Sequence, residues 1–210
     1  MWQSPRLGAE PGRDQFNLAK LEALYSPAAQ AKIKSMSAND DPVKRCEPSA
    51  FPRAAALGWP IQISQRPGWV FVYNEAFNNS YRMIPTKTEG QHAAPCINAT
   101  SGGGCLAPSN FGNSAGRWEG DTLVVDVLSF NGLTWLAGGE DKPAQASAGV
   151  WPSSDAMHVV ERWRRVDENT LEYQARVEDP KMLTAPWETP KVALKKQPPS
   201  KVDEVKCQRR

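Results

Sequence analysis

The chain has 210 residues, with 25 Lys+Arg against 23 Asp+Glu, a formal net charge of +2 and 40% apolar residues. That length fits one domain, or one domain with an ordered extension, and the apolar content argues against wholesale disorder. Near-neutral charge argues against a general nucleic-acid binder, no apolar run is long enough for a membrane helix, and 18 prolines argue against a helical bundle.

Residues 1–13 are polar with Pro and Gly and read as an irregular arm. Residues 14–36 read as helical, because Leu18, Leu21, Leu24 and Tyr25 recur at three- and four-residue steps. Ser26-Pro27 reads as an N-cap followed by proline in the first turn of a second short helix, through Ile33. Residues 1–39 are expected to pack on the main domain. Residues 40–60 are Pro-rich and show no period.

From there the pattern turns to strand. Ile61 to Ser64 alternates, Pro67-Gly68 is a turn, and Trp69 to Tyr73 is β-branched and aromatic. Tyr81 to Ile84 follows a turn at Asn78-Asn79-Ser80. Residues 85–115 form a long connection holding a Gly-rich loop between Cys96 and Cys105, and such a connection is usually functional or an insertion. Residues 116–127 read as a hairpin turning at Glu119-Gly120-Asp121. A Gly/Pro/Ser loop covers 137–153. A second hairpin joins His158–Arg165 to Thr170–Val177, and the last strand candidates are Thr189 to Leu194 and Val202 to Cys207. Many short strands with turn punctuation predict a mainly β fold, an antiparallel barrel of lipocalin type or a sandwich, over residues 40–210.

The four cysteines suggest one local disulfide, Cys96–Cys105, and one end-to-end clamp, Cys46–Cys207. The chain-entropy account gives roughly 4–5 kcal/mol for so long a closed loop. The alternative is four reduced thiols in a cytosolic protein. The first residues lack a charged start followed by an apolar segment, so no export signal is read in this chain. Disulfides would nonetheless place the protein in the periplasm or outside the cell. No metal and no organic cofactor are expected, since no CxxC pair occurs and the only histidines are His92 and His158.

Several strings are distinctive. They are Asp41-Pro42 with Cys46, Phe51-Pro52-Arg53, Gly116-Arg117-Trp118-Glu119-Gly120-Asp121-Thr122-Leu123-Val124-Val125-Asp126, Phe130-Asn131, Ser154-Asp155-Ala156-Met157-His158-Val159-Val160-Glu161-Arg162, Thr170-Leu171-Glu172-Tyr173 and Glu178-Asp179-Pro180-Lys181. Over residues 40–207 the chain resembles a large group of exported bacterial proteins of unassigned function. The resemblance implies an export signal and carries no activity with it. The chain departs from the group at Tyr73-Asn74-Glu75, where the group reads Tyr-Glu directly, and in the longer segment after Ile84.

Strand alternation places Met157, Val159, Glu161, Trp163 and Arg165 on one, inward face. A carboxylate among such neighbours is a candidate general acid or base. The alternative is a buried ion pair between Glu161 and Arg82 or Arg165. Asp126 lies on a strand apolar on both faces, so a buried side chain is expected, either paired with Glu161 or bonded to loop backbone. His158 is the default acid/base group at a rim, oriented by Asp155, or a solvent-facing anchor. A nucleophilic triad is disfavoured by the lack of a Gly-x-Ser-x-Gly elbow.

Tyr73, Trp118, Trp135, Trp163, Tyr173 and Trp187 fall on or beside strands. Inside a barrel such rings line a pocket for a small hydrophobic or aromatic molecule, with Arg82 and Asn131 supplying polar contacts, or they simply are the core. Three functions are consistent with this. The first is a cofactor-independent lyase, isomerase or hydrolase using Glu161, His158 and Asp126. The second is a non-catalytic ligand-binding barrel, and the third is an assembly subunit whose arm or long loop meets a partner chain.

Overall fold

The structure is a computed structural model, and it describes residues 1–3, 17–75, 80–93, 107–138 and 150–198. The chain is mainly antiparallel β, as expected, and its main sheet rolls into a nearly closed barrel. In chain order the strands are β1 (Trp2–Gln3), β2 (Ile61–Arg66), β3 (Trp69–Asn74), β4 (Ser80–Pro85), β5 (Asn113–Glu119), β6 (Thr122–Leu128), β7 (Trp135–Gly138), β8 (Val150–Pro152), β9 (His158–Arg165), β10 (Thr170–Glu178), β11 (Trp187–Glu188) and β12 (Val192–Lys196). The sheet runs β4-β3-β2-β1-β12-β10-β9-β6-β5, with β11 paired to β10, while β7 and β8 form a small separate sheet.

The three hairpins β2–β3, β5–β6 and β9–β10 turn at one end of the barrel. Their alternation sets the faces. Leu123, Val125, Val127, Val159, Trp163, Leu171, Tyr173, Ala175 and Val177 are buried in one core, and their outward neighbours are mostly charged. The two edges, β4 and β5, meet where Gly116 has no side chain. A Cβ there would press on the Ile84 and Thr86 side chains and the Pro85 carbonyl, and the Gly90 amide donates to the Gly116 carbonyl at 3.1 Å beside this seam.

Trp2 and Gln3 correct the expectation of an irregular start. They insert as β1 between β2 and β12, in register with Ile61, Lys195 and Lys196. Residues 4–13 of the expected arm lie outside the described residues. The last strand runs Val192–Lys196 rather than from Thr189, because the Thr189 hydroxyl and carbonyl are committed to the Ala175 amide and the Gln174 side chain. The 202–207 candidate lies outside the described residues.

Helices α1 (Leu18–Leu24) and α2 (Pro27–Lys34) form at the expected place, and Ser26 caps α2 by accepting from the Ala29 amide at 3.2 Å. Leu18, Leu21, Tyr25 and Ala29 bury into the same core as the barrel, and the Tyr25 hydroxyl donates to the Pro152 carbonyl at 2.7 Å.

The stretch 40–60, which shows no period, proves to be the stopper of the barrel. Two short 3-10 turns (Ala38–Asp40 and Pro42–Arg45) lead to α3 (Arg53–Ala56), and residues 49–58 are buried without interruption. Small Ala side chains let α3 sit close over the end opposite the hairpins, and Phe51 enters the interior from that side. Arg53 is fixed by a bidentate pair with Asp41 at 2.9 and 2.8 Å, both residues being fully buried.

Candidate functional site

The barrel interior is layered. Its middle layer is an ion pair reaching across the lumen. Arg82 of β4 donates through Nη1 and Nη2 to the two carboxylate oxygens of Glu161 of β9, at 2.8 and 2.6 Å. The Trp163 indole donates to Glu161 Oε2 at 3.0 Å. The Arg82 guanidinium lies 4.6 Å from the Phe51 ring centroid, a cation–π contact in a dry setting. Phe51, Trp163 and Tyr173 pack around it, Phe51 edge-on to Trp163 and the other two ring pairs tilted, with centroids 4.5 to 5.9 Å apart.

This layer obeys the electrostatics of a closed interior. Burial alone would push the Arg82 pKa down, but the Glu161 carboxylate holds it above its ordinary value. Burial pushes the Tyr173 hydroxyl well up, and the Glu161 charge adds to it. Of the two arginines offered to Glu161 by the sequence, Arg82 is the partner. Arg165 stands on the same strand four residues on, about 13 Å away at strand rise. The pair satisfies Glu161, so the carboxylate holds strands β4 and β9 together.

Above Trp163, toward the hairpin end, the barrel opens. A cavity of ≈ 230 Å³ lies there, walled by Trp2, Ile63, Val70, Trp118 and Leu171 and floored by Trp163. Gln65, Asp121 and Arg165 stand at its rim. Trp118 is 46% exposed although it faces the opening. A wider groove of ≈ 560 Å³ runs between α1, α2 and β8. It is a surface trough, and the hydroxyl of its one aromatic side chain, Tyr25, is already committed to Pro152.

The second polar constellation lies on the outer face of the barrel. Asp126 of β6 receives both histidines of the chain, His92 Nε2 on Oδ1 at 2.8 Å and His158 Nε2 on Oδ2 at 2.9 Å. Glu178 of β10 stands 3.9 Å from His158 Nδ1 and is itself held by Arg176 at 2.8 Å. The Asp126 hydrogen bond raises the His158 pKa, against partial burial, and Glu178 adds to the rise. Partial burial would raise the Asp126 pKa, but the bonds to His158 and His92 hold it below its ordinary value.

The sign of the pH dependence follows from these directions. His158 contributes stability that is full below its unfolded pKa, about 6.5, and lost as pH rises through its raised folded value. Asp126 contributes stability present above about 3.9 and lost as pH falls through its lowered folded value. The cluster is therefore most stabilising between about pH 4 and 6.5. The urea midpoint is expected to fall from pH 6 to pH 8 in the natural chain and to stay level in His158→Gln. An equal fall in both would show that this cluster does not drive it.

These positions revise several expectations. Asp126 and Glu161 do not pair. In the β6–β9 ladder Val125 stands opposite Glu161 and Asp126 opposite Val160, so the two carboxylates point to opposite faces. His158 takes Asp126 as its partner rather than Asp155, which pairs with Lys181 at 2.7 Å. Glu161 and His158 thus flank the barrel wall and do not converge on one position.

Arg82 is spent on Glu161. Tyr73 is on the outer face of β3, opposite Tyr81. Asn131 sits in a loop, bonded to Asn110 and to the Leu133 amide. Trp135 is buried in the small β7–β8 sheet. Trp118 and Trp163 are the expected pocket residues that the structure brings to the cavity, and Tyr173 lies one layer below. Sequence reasoning missed His92, Trp2 and Arg165 as site residues. The one signal for His92 was that the chain holds only two histidines.

Cys46 ends the second 3-10 turn in a left-handed conformation and is not a free thiol. Cys96, Cys105 and Cys207 lie outside the described residues. Among the described residues no group of three or more His, Cys, Asp or Glu is placed to hold a metal ion, and no helix is long and apolar enough to cross a membrane.

Fold and cavity define a nearly closed antiparallel barrel, stoppered at one end and open at the other. No protein-family model, no curated protein and no solved structure matches the chain.

Proposed function

We propose that the protein binds a small aromatic or hydrophobic molecule in the open end of its barrel, without catalysis there. The observation that carries this reading is the Trp-walled cavity above Trp163, with Trp118 turned into the opening at considerable cost in exposed apolar surface. The volume, ≈ 230 Å³, corresponds to the liquid share of roughly seven to eight waters. That suits a molecule of one or two rings. A catalytic reading finds less support, since Glu161 is neutralised by Arg82 and His158 stands outside the lumen.

The neutral probe 2-naphthamide tests this reading through tryptophan fluorescence. Binding is expected in the natural chain and to weaken about tenfold or more in Trp118→Ala, as for an aromatic anchor in a pocket. An unchanged affinity in the variant would contradict the assignment of the mouth.

We also propose that the protein works outside the cytoplasm and belongs with the exported proteins it resembles. The support is Cys46, which is not a free thiol, with Cys207 as its proposed partner and Cys96–Cys105 as a second bridge. Mass mapping under non-reducing conditions that finds four free thiols would refute this.

A further inference from the structure

We infer that the molecule taken by the barrel mouth is an anion, a planar aromatic acid whose carboxylate is bound by Arg165 at the rim. This rests on the binding reading above and adds the charge of the ligand to it.

A guanidinium has five N–H donors in a rigid plane and no acceptor. In Arg165, Nε donates to the Asp167 carbonyl and Nη2 to the Glu168 carbonyl, each at 3.2 Å. Both acceptors belong to the β9–β10 turn, so the hairpin that Arg165 begins also fixes its head group. Nη1 takes no acceptor among the described residues, and no carboxylate pairs with Arg165 among them. The result is a cation oriented by neutral carbonyls and left without a counter-ion beside an aromatic cavity.

Its surroundings sharpen the contrast. The one acidic side chain lining the mouth, Asp121, is taken by Arg164, whose Nε lies 3.1 Å from Oδ2. Two other arginines of the neighbouring strands β9 and β10, Arg162 and Arg176, are matched. Arg162 pairs with Glu119 at 2.9 Å, and Arg176 with Glu178 at 2.8 Å. The mouth therefore offers apolar ring surface from Trp2, Trp118 and Trp163, and Arg165, the cationic side chain of its described lining, has no carboxylate partner among the described residues. An aromatic ring bearing a carboxylate satisfies both, whereas a cation would meet Arg165 unfavourably. Arginine is suited to this because its planar fork accepts a carboxylate in a defined orientation.

The test compares 2-naphthoate with 2-naphthamide, which share their rings and differ in charge. Affinities are measured by calorimetry at low and at moderate salt on the natural chain, Arg165→Met and Arg165→Lys. Natural protein is expected to bind the acid about tenfold tighter than the amide, with the preference shrinking as salt rises. Arg165→Met is expected to bind acid and amide about equally, losing the preference. Arg165→Lys, which retains charge and guards against misfolding of the methionine variant, is expected to keep part of it. Equal binding of acid and amide by the natural chain overturns the anion assignment and leaves the mouth standing as a binding site. Failure of both probes overturns the two together. A preference that survives in Arg165→Met overturns the role of Arg165.

Discussion

Glu161→Gln is expected to destabilise the protein by about 3–5 kcal/mol, because it leaves the Arg82 guanidinium buried with no counter-charge. Both partners are almost wholly inaccessible, with side-chain exposures of 6% for Arg82 and 0% for Glu161. Against a typical total of about 5–15 kcal/mol, the loss takes up a large part of the stability. Replacing both residues by apolar ones, as in Arg82→Met with Glu161→Leu, is expected to be much milder. A buried pair exchanged for well-packed apolar groups is often neutral, although the Trp163 indole then loses its acceptor, at about 1–3 kcal/mol. Urea unfolding of the two single variants and the double variant yields the coupling energy directly. A Glu161→Gln variant within about 1 kcal/mol of the natural chain would contradict the ion-pair account of the interior.

Gly138→Ala is expected to cost a comparable amount, about 3–5 kcal/mol. A Cβ at this position would overlap Asp41 Oδ2 and the Arg53 guanidinium, the second fully buried ion pair. The backbone of Gly138 is not in the left-handed region, so the cost is one of contact and not of conformation. Neither partner can give way freely, since Arg53 uses both Nη atoms on Asp41, and Asp41 also accepts from the Val43 amide at 3.2 Å. The substitution forces the pair apart or lifts β7 from the stopper. A lowered urea midpoint with an unchanged slope is the expected result. A midpoint equal to that of the natural chain would mean that β7 does not rest on Arg53.

How much of this was legible in the sequence depends on what supplied the information. Alternation in 157–165 placed Glu161 and Trp163 inward, and the structure agrees, because period two is a property of one strand alone. Which residue meets Glu161 was not legible. Arg82 lies 79 residues earlier, and nothing local selects it over Arg165. Asp126 was misread because Val124 and Leu128 beside it are apolar. The face they share with Asp126 points away from the lumen, where His92 and His158 bond to the carboxylate. The stopper was invisible to any period, since Ala54, Ala55 and Ala56 are buried by fitting a gap and carry no repeating stripe. The eight tryptophans did not share one role. Trp151 and Trp187 fill the core, Trp69 sits on the outer face, and Trp2 and Trp118 wall the mouth.

The mouth is the centre of this account, and its tryptophans allow it to be tested residue by residue. Each indole N–H gives its own resonance in a nitrogen–proton NMR spectrum. During titration with 2-naphthoate, the signals of Trp2, Trp118 and Trp163 are expected to shift together along one saturating curve, while those of Trp151 and Trp187 stay in place. Shifts confined to Trp151 or Trp187, or no shift at Trp118 and Trp163 when the probe is bound, would contradict a binding site in the open end of the barrel.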